Sequence, residues 1–200
     1  MDKSQTGLAG AFSTLGQLTR KGLVAPLTLG NTKGVDILVT NKDLNRLYKV
    51  EVKASTSKPN KDRLFGDGYF YSWAMSKKHE QLIDKHLKYC FLALQAEDQL
   101  PLFFLVESQV VAEYLKWQHQ FWLAGDSTRN DSSMRVFRIP VEDPENYQNN
   151  WRLFRVLNHA ANKLLQLTAI QLRFIAATEL WRYICNPTTV QAEQNYETEI

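Results

Sequence analysis

The chain has 200 residues, of which 44% are hydrophobic, 12% aromatic and 22% charged. These proportions are ordinary for a globular protein, and they exclude the disordered, collagen-like and disulfide-scaffold classes. The net charge is only +3, but residues 1–63 carry 11 basic and 5 acidic side chains and therefore +6. Residues 64–185 are neutral and residues 186–200 carry −3, so the positive charge is concentrated in the first third of the chain.

Neither a signal peptide nor a membrane-spanning segment is predicted. Residues 1–10 contain no apolar core of the signal-peptide kind, and no uninterrupted apolar run of ~18 residues occurs. The two cysteines, Cys90 and Cys185, form no C-x-x-C pattern, so we expect reduced, buried thiols. These features predict a cytoplasmic protein without a membrane partner.

The first predicted element is a helix over residues 7–21 with Thr6 as its cap. Its expected buried stripe is made of apolar residues at helical spacing, namely Leu8, Phe12, Leu15 and Leu18. Residue composition then predicts strands over residues 24–29, 34–40 and 47–54, followed by a polar, basic loop over residues 55–63. Residues 64–73 are rich in aromatic residues and interrupted by glycines.

The second half of the chain continues with alternating elements. A helix is expected from Ser76 to about Leu87, and a helix over 109–123 lies between apolar strands. Those strands are predicted over residues 89–94, 102–107 and 134–139, and helices follow from about Asn150 and over residues 159–185. This order predicts an α/β fold in which helices flank a small mixed sheet.

Two acidic residues on neighbouring predicted strands give the strongest chemical signal. Asp36 lies on the second strand, and alternation places Glu51 and Lys53 together on one face of the third. A hairpin turning symmetrically at residues 43–44 pairs residues whose numbers sum to 87. Asp36 is then opposite Glu51, and Gly34 is opposite Lys53.

Opposed carboxylates repel each other unless a cation lies between them. Mg²⁺ binds one or two carboxylates together with water and phosphate oxygens, so the pair suits this ion. Lys53 would then hold an attacking water or a phosphate oxygen. The alternative is a solvated strand face, because a register shifted by one residue would separate the two carboxylates.

The segments GNTKGVDILV and YKVEVKAS, followed by a polar loop and W-x-M-S-K-K-H-E, resemble the PD-(D/E)XK nuclease superfamily. The similarity extends over about residues 5–156 and is strongest to small bacterial restriction-endonuclease-like and Holliday-junction-resolvase-like members. It implies a metal-dependent endonuclease that uses Mg²⁺, with Mn²⁺ as an alternative. Asp36, Glu51 and the main-chain carbonyl of Val52 would be the metal ligands, and Lys53 would position the attacking water.

The chain departs from that family in its first helix. Relatives usually carry glutamate in a Gly-x-x-Gly-Glu pattern, but here Gly7 and Gly10 are followed by Ala11. Gln17 is six residues further on, about 240° around the helix, and cannot replace the missing acid. Two functions therefore stay open: an active endonuclease, or a disabled nuclease fold that binds DNA or assembles as a dimer.

Several side chains near the proposed site suit a nucleic-acid partner, for which DNA is the favoured form. Lys33, Lys58, Lys61 and Arg63 are expected to contact the phosphate backbone, although a solvated surface is the alternative for each. The aromatic residues Tyr69, Tyr71 and Trp73 either stack on bases or pack in the core. No zinc site is expected, because the histidines lack the spacing of zinc ligands.

Three segments are predicted. Residues 1–156 form the nuclease-like domain, residues 157–186 a helical C-terminal extension, and residues 187–200 an acidic flexible tail. The long helix of the extension has a wide apolar face. That face either packs back on the domain or forms a homodimer, in which two sites would meet the two strands of a duplex.

Overall fold

The structure is a computed structural model that describes residues 1–28, 34–40 and 46–154. Its elements, in chain order, are α1 (Lys3–Arg20), β1 (Ile37–Thr40), β2 (Leu47–Ser55), β3 (Asn60–Lys61), β4 (Tyr69–Ser76), a 3-10 helix (Lys77–Gln81), β5 (Leu87–Ala93), β6 (Leu102–Glu107), α2 (Ser108–Ala124), β7 (Met134–Pro140) and a second 3-10 helix (Trp151–Phe154). The predicted mixed α/β class is confirmed. The predicted helix over residues 159–185, and with it the homodimer, lies outside the described residues.

Two sheets form the body of the protein. The larger sheet has the order β1-β2-β5-β6, with β2 and β5 parallel and the other neighbours antiparallel. The smaller sheet has the order β3-β4-β7 and is antiparallel. The sequence did not predict this second sheet, because its central strand β4 lies in the aromatic segment that the glycines interrupt. Trp73 joins the two sheets, since its indole N–H donates to the Leu92 carbonyl at 2.9 Å.

Alternation along the larger sheet produces a separate core on each of its faces. On one face Val50, Cys90 and Leu92 pack with Leu18 of α1 and with Trp151. On the other face a second set of apolar residues packs against the smaller sheet and α2: Tyr89, Phe91 and Phe104 with Trp73, Phe137 and Leu115. Strand β5 is buried at every position because both of its faces are covered.

Helix α1 begins earlier than predicted and buries a different stripe. Its cap is Asp2, whose carboxylate accepts from the Gln5 amide at 2.8 Å, and not Thr6. The buried stripe consists of small residues with one leucine: Gly10, Thr14 and Leu18. Leu8 and Phe12 are 61% and 55% exposed. They lie about 200° around the helix from the buried stripe, so the predicted apolar stripe was wrong for these two positions.

The remaining strand and helix predictions hold to different degrees. Of the predicted strand over residues 24–29, the described part (residues 24–28) forms two isolated bridges, Val24↔Thr40 and Leu27↔Ile37. The helix predicted after Ser76 is only the 3-10 helix Lys77–Gln81. The predictions for β2, β5, β6, α2 and β7 are confirmed to within two residues. Within the described ranges, no helix is long and apolar enough to cross a lipid bilayer.

Candidate functional site

Strand β2 places Glu51 and Lys53 side by side, as the alternation predicted. The Lys53 ammonium lies 2.6 Å from Oε1 of Glu51. Glu51 is only 3% exposed, whereas the Lys53 side chain is 28% exposed. The carboxylate is therefore buried inside the protein and the ammonium lies at the rim of the site.

The predicted hairpin register is confirmed over β1, where the pairs run from Ile37↔Val50 to Thr40↔Leu47. The ladder does not extend before Ile37, the first residue of β1, so Asp36 and Glu51 do not form a further pair. The Asp36 amide donates to the Val50 carbonyl at 2.8 Å. Its carboxylate, through Oδ2, accepts from the Val52 amide at 2.7 Å. Asp36, which immediately precedes β1, thus contacts β2 through its side chain.

The predicted pairing of Gly34 with Lys53 is wrong. Gly34 has a φ of +75° and lies outside β1, and a Cβ atom built on it would be 3.4 Å from Oε2 of Glu51. This left-handed conformation turns the chain away from the ladder and brings the main chain against the Glu51 carboxylate. A side chain at this position would occupy the space beside Oε2.

The backbone of β2 also points toward Asp36. Residues of a strand direct their N–H and C=O to the same neighbour, and Val52 directs its N–H to Asp36. The Val52 carbonyl therefore faces the space before the first residue of β1, where the Asp36 carboxylate lies. The Asp36 carboxylate and the Val52 carbonyl thus lie on the same side of β2, and the Glu51 carboxylate is close enough for its charge to act on Asp36.

The sequence reasoning missed two residues of this site, His79 and Tyr89. Nε2 of His79 is 3.2 Å from Oε1 of Glu51, and the histidine is itself 3% exposed. Tyr89 pairs with Glu51 across β2 and β5 and is completely buried. Both residues reach Glu51 through non-local contacts. The sequence carried one signal for His79. Ser76, three residues earlier, follows a strand and precedes a helical turn, and such a polar residue is a candidate cap whose partner is the third residue of the turn, here His79.

The surroundings move the pKa values of the two carboxylates in opposite directions. Burial alone would raise the pKa of Glu51, but the His79 hydrogen bond and the Lys53 charge outweigh it and lower this pKa to about 2. Burial raises the pKa of Asp36, against the Val52 hydrogen bond and the Lys53 charge. The pKa of Tyr89 is raised by burial and by Glu51, whose charge and hydrogen bonding to the hydroxyl both favour the protonated phenol. Glu51 is thus an anion at neutral pH.

Two buried oxygen atoms at this site lack well-formed hydrogen bonds. Within the described part of the chain, Oε2 of Glu51 and the Tyr89 hydroxyl make no hydrogen bond of ordinary geometry, although the hydroxyl is close enough to Glu51 for each to act on the other. An ionised oxygen buried without a donor is costly, and a bound cation is one way to offset that cost. In the same ranges no group of three His, Cys, Asp or Glu side chains could hold a metal ion. An all-protein cage needs more ligands than this site offers, whereas Mg²⁺ keeps several water ligands and needs only one or two carboxylates.

The basic residues beyond β2 are on the surface. Lys58, Lys61 and Arg63 are all exposed. The Lys61 ammonium lies 5.4 Å from the ring centre of Tyr69, which is 51% exposed. Of the other predicted aromatic residues, Trp73 is in the core and Tyr71 packs against it. Lys33 lies outside the described residues.

Helix α1 packs on the other face of β2 from Glu51 and Lys53. A Cβ atom built on Gly10 would be 2.6 Å from the Ala54 Cβ and 3.3 Å from Cγ1 of Val52. These side chains point away from the Glu51 face, because β2 alternates. Ala11, where the resembling family carries an acid, is the half-buried residue that follows Gly10.

No protein-family model and no curated protein matches this chain. Among solved structures, the fold is similar to that of a bacterial homing endonuclease, I-Ssp6803I, with a TM-score of 0.43 and 12% sequence identity. The similarity covers 86% of this chain and 99% of that one.

Proposed function

We propose that this protein is a divalent-metal-dependent endonuclease of the PD-(D/E)XK type, and that it hydrolyses phosphodiester bonds in DNA. The observation that supports the proposal best is the buried Oε2 atom of Glu51, which makes no hydrogen bond of ordinary geometry in the described ranges. It lies on the strand that also carries Lys53, and Asp36, which immediately precedes β1, contacts this strand.

The ligands of the ion would be the carboxylates of Asp36 and Glu51 and the main-chain carbonyl of Val52. Mg²⁺, or Mn²⁺ in its place, would activate a water molecule and offset the charge that develops on the phosphate. Asp36 is held for this role by the Val52 amide, so its orientation is set before any ligand binds. Glu51 is already ionised at neutral pH, since its pKa is about 2.

Lys53 is proposed to act at the rim of the site. Its ammonium has three donors, one of which is directed to Oε1 of Glu51 at 2.6 Å. The other two can reach a phosphate oxygen or the attacking water. Partial exposure lets the side chain meet a substrate that remains on the surface. The Glu51 charge keeps the ammonium beside the reacting phosphate.

The DNA backbone is proposed to cross the exposed segment that follows β2. Lys58, Lys61 and Arg63 supply positive charge there without acidic partners in ion pairs among the described residues. Such contacts give affinity that is independent of sequence and sensitive to salt. The contacts would bring a phosphate towards Lys53, because the segment continues directly from the end of β2.

A second candidate function is DNA binding without cleavage. It is favoured by the donor set, which offers two carboxylates in the described ranges and no third ligand side chain. Ala11 stands where the resembling family has its helix acid. Loss of that acid would weaken metal binding or the positioning of water while leaving the basic surface intact.

A plasmid-nicking assay in Mg²⁺ and in Mn²⁺ tests the proposal. Asp36→Asn keeps an acceptor for the Val52 amide but removes the charge, and Lys53→Met removes the ammonium. Both should lower cleavage at least ~100-fold. Lys49→Met is the matched control, since Lys49 is on the same strand and pairs with Asp84 at the surface.

Unchanged cleavage by both Asp36→Asn and Lys53→Met would contradict the endonuclease proposal. The second function predicts a different pattern: the unsubstituted chain binds DNA but does not nick it, and Ala11→Glu introduces nicking. Cleavage by the unsubstituted chain that Ala11→Glu does not raise would argue against a disabled site.

A further inference from the structure

His79 is locked in one orientation by contacts on both of its ring nitrogens. The Ser76 amide donates to Nδ1 at 3.1 Å, and the Ser76 hydroxyl lies 3.0 Å from the same nitrogen. Nδ1 is also 2.9 Å from the Ser76 carbonyl. On the other side, Nε2 faces Oε1 of Glu51 at 3.2 Å. The ring therefore links the end of β4 to the carboxylate on β2.

The partners of the ring decide where its hydrogen lies. An ionised carboxylate can only accept hydrogen bonds, so Nε2 must carry a hydrogen and donate it to Glu51. Nδ1 then serves as the acceptor for the Ser76 amide in the neutral ring. The Ser76 carbonyl, 2.9 Å from the same nitrogen, can only accept and is paired when the ring is an imidazolium. In both states Nε2 carries a hydrogen and donates it to Glu51.

Both donors to Glu51 converge on the same oxygen. Nε2 of His79 and Nζ of Lys53 lie 3.2 Å and 2.6 Å from Oε1. Oε2 makes no hydrogen bond of ordinary geometry within the described ranges and lies beside Gly34, where a Cβ atom would be 3.4 Å from it. Lys53 has a flexible stem and is partly exposed, whereas the His79 side chain is only 4% exposed. The imidazole is therefore the rigid member that sets the rotation of the carboxylate.

We propose that His79 is a positioning residue of the cation site. Its Nε2–H holds Oε1 of Glu51 so that Oε2 stays directed to a divalent cation. This inference rests on the proposed function, because it assumes that the cation binds at Glu51. An outer hydrogen bond of this kind orients a ligand without contacting the ion, and its loss typically weakens metal binding ~10–100-fold.

Two substitutions separate the two hydrogen bonds of the ring. His79→Gln keeps an N–H donor near the position of Nε2, and His79→Asn keeps an acceptor near Nδ1 but does not reach Glu51. Mn²⁺ binding by the full chain, followed by electron paramagnetic resonance of the unbound ion, should be weakened ~10–100-fold by His79→Asn and largely restored by His79→Gln. Urea unfolding of each variant reports any loss of stability separately.

His119 provides the matched control. It is also a buried histidine that contacts a carboxylate, with Nε2 at 2.8 Å from Oδ1 of Asp131. His119→Asn should destabilise the fold to a similar degree and leave Mn²⁺ binding unchanged. Equal weakening of Mn²⁺ binding by His119→Asn and His79→Asn would show a general structural effect and overturn the positioning role.

The outcomes for the inference and for the proposed function are distinct. Mn²⁺ binding that Asp36→Asn abolishes and His79→Asn leaves intact would refute the role of His79 alone. An unsubstituted chain that binds no Mn²⁺ would refute both. If His79→Asn does not fold, His79→Gln decides, because a folded glutamine variant with weakened Mn²⁺ binding contradicts the proposed donor role.

Discussion

The close approach of α1 to β2 makes Gly10→Ala an informative substitution. The added methyl carbon would lie 2.6 Å from the Ala54 Cβ, whereas carbon atoms pack comfortably at about 3.5–4.0 Å. Neither atom is the end of a flexible side chain, so the helix or the strand must move by about 1 Å to reach that separation. Overpacking of this kind costs about 1–3 kcal/mol.

Two other glycines of the same helix isolate this cost. Alanine at Gly7 or Gly16 would meet no atom within 4 Å. There the substitution should stabilise the protein by about 1 kcal/mol, because alanine is the better helix former. Gly10→Ala receives the same gain, so the difference between its unfolding free energy and that of the controls measures the overpacking. We expect this difference to be about 1–3 kcal/mol in urea titrations.

A double-mutant cycle identifies the contact responsible. Ala54→Gly removes the atom that the new methyl would meet, so in the Gly10→Ala background it should recover part of the lost stability. A coupling energy of about 0.5–3 kcal/mol is expected. If Gly10→Ala is as stable as Gly7→Ala, or if the cycle shows no coupling, the close packing of α1 on β2 is wrong.

Two further predictions concern charge. Glu51 has a pKa of about 2, below its ordinary value of 4.5, so its ionised form stabilises the fold above pH 4.5 and this stabilisation is lost as the pH falls towards 2. The difference in unfolding free energy between the unsubstituted chain and Glu51→Gln should therefore fall by about 2 kcal/mol from pH 6 to pH 3. A difference that stays constant with pH in urea unfolding would contradict this prediction. The logarithm of the DNA-binding constant falls linearly with the logarithm of the salt concentration, and Lys58→Ala and Lys61→Ala should each make this slope shallower by about 0.9. Lys85→Ala, at the other end of the parallel strands β2 and β5, should leave that slope unchanged, and equal slopes for all three variants would argue against the proposed DNA path.

Strand patterns in the sequence predicted much of the candidate site. Alternation along β2 was sufficient to place Glu51 and Lys53 on one face, because the period of a strand is a local property. The hairpin register was also predictable from the short connection between β1 and β2. The position of Asp36 was predicted only approximately, since the ladder ends before it and its side chain takes over the pairing with Val52.

The stripe that α1 buries could not be read from hydrophobic periodicity. The spacing of Leu8 and Phe12 is helical, but the structure buries Gly10 and Thr14 in their place. Close packing of a helix on a sheet rewards small residues, and that reward exists only when the sheet is present. The exposed Tyr69 and the buried Trp73 differ for the same reason, because only Trp73 lies between the two sheets.

By itself, the sequence determined the α/β class, the acidic and basic pair on β2, and the concentration of positive charge in the first third of the chain. These are properties of composition and of neighbouring residues. Only the tertiary structure brought His79 and Tyr89 to Glu51, since Tyr89 comes from the neighbouring parallel strand β5 and His79 from the 3-10 helix that follows β4. The direction of Oε2 is likewise a tertiary property, because it depends on which oxygen the donors from Lys53 and His79 occupy.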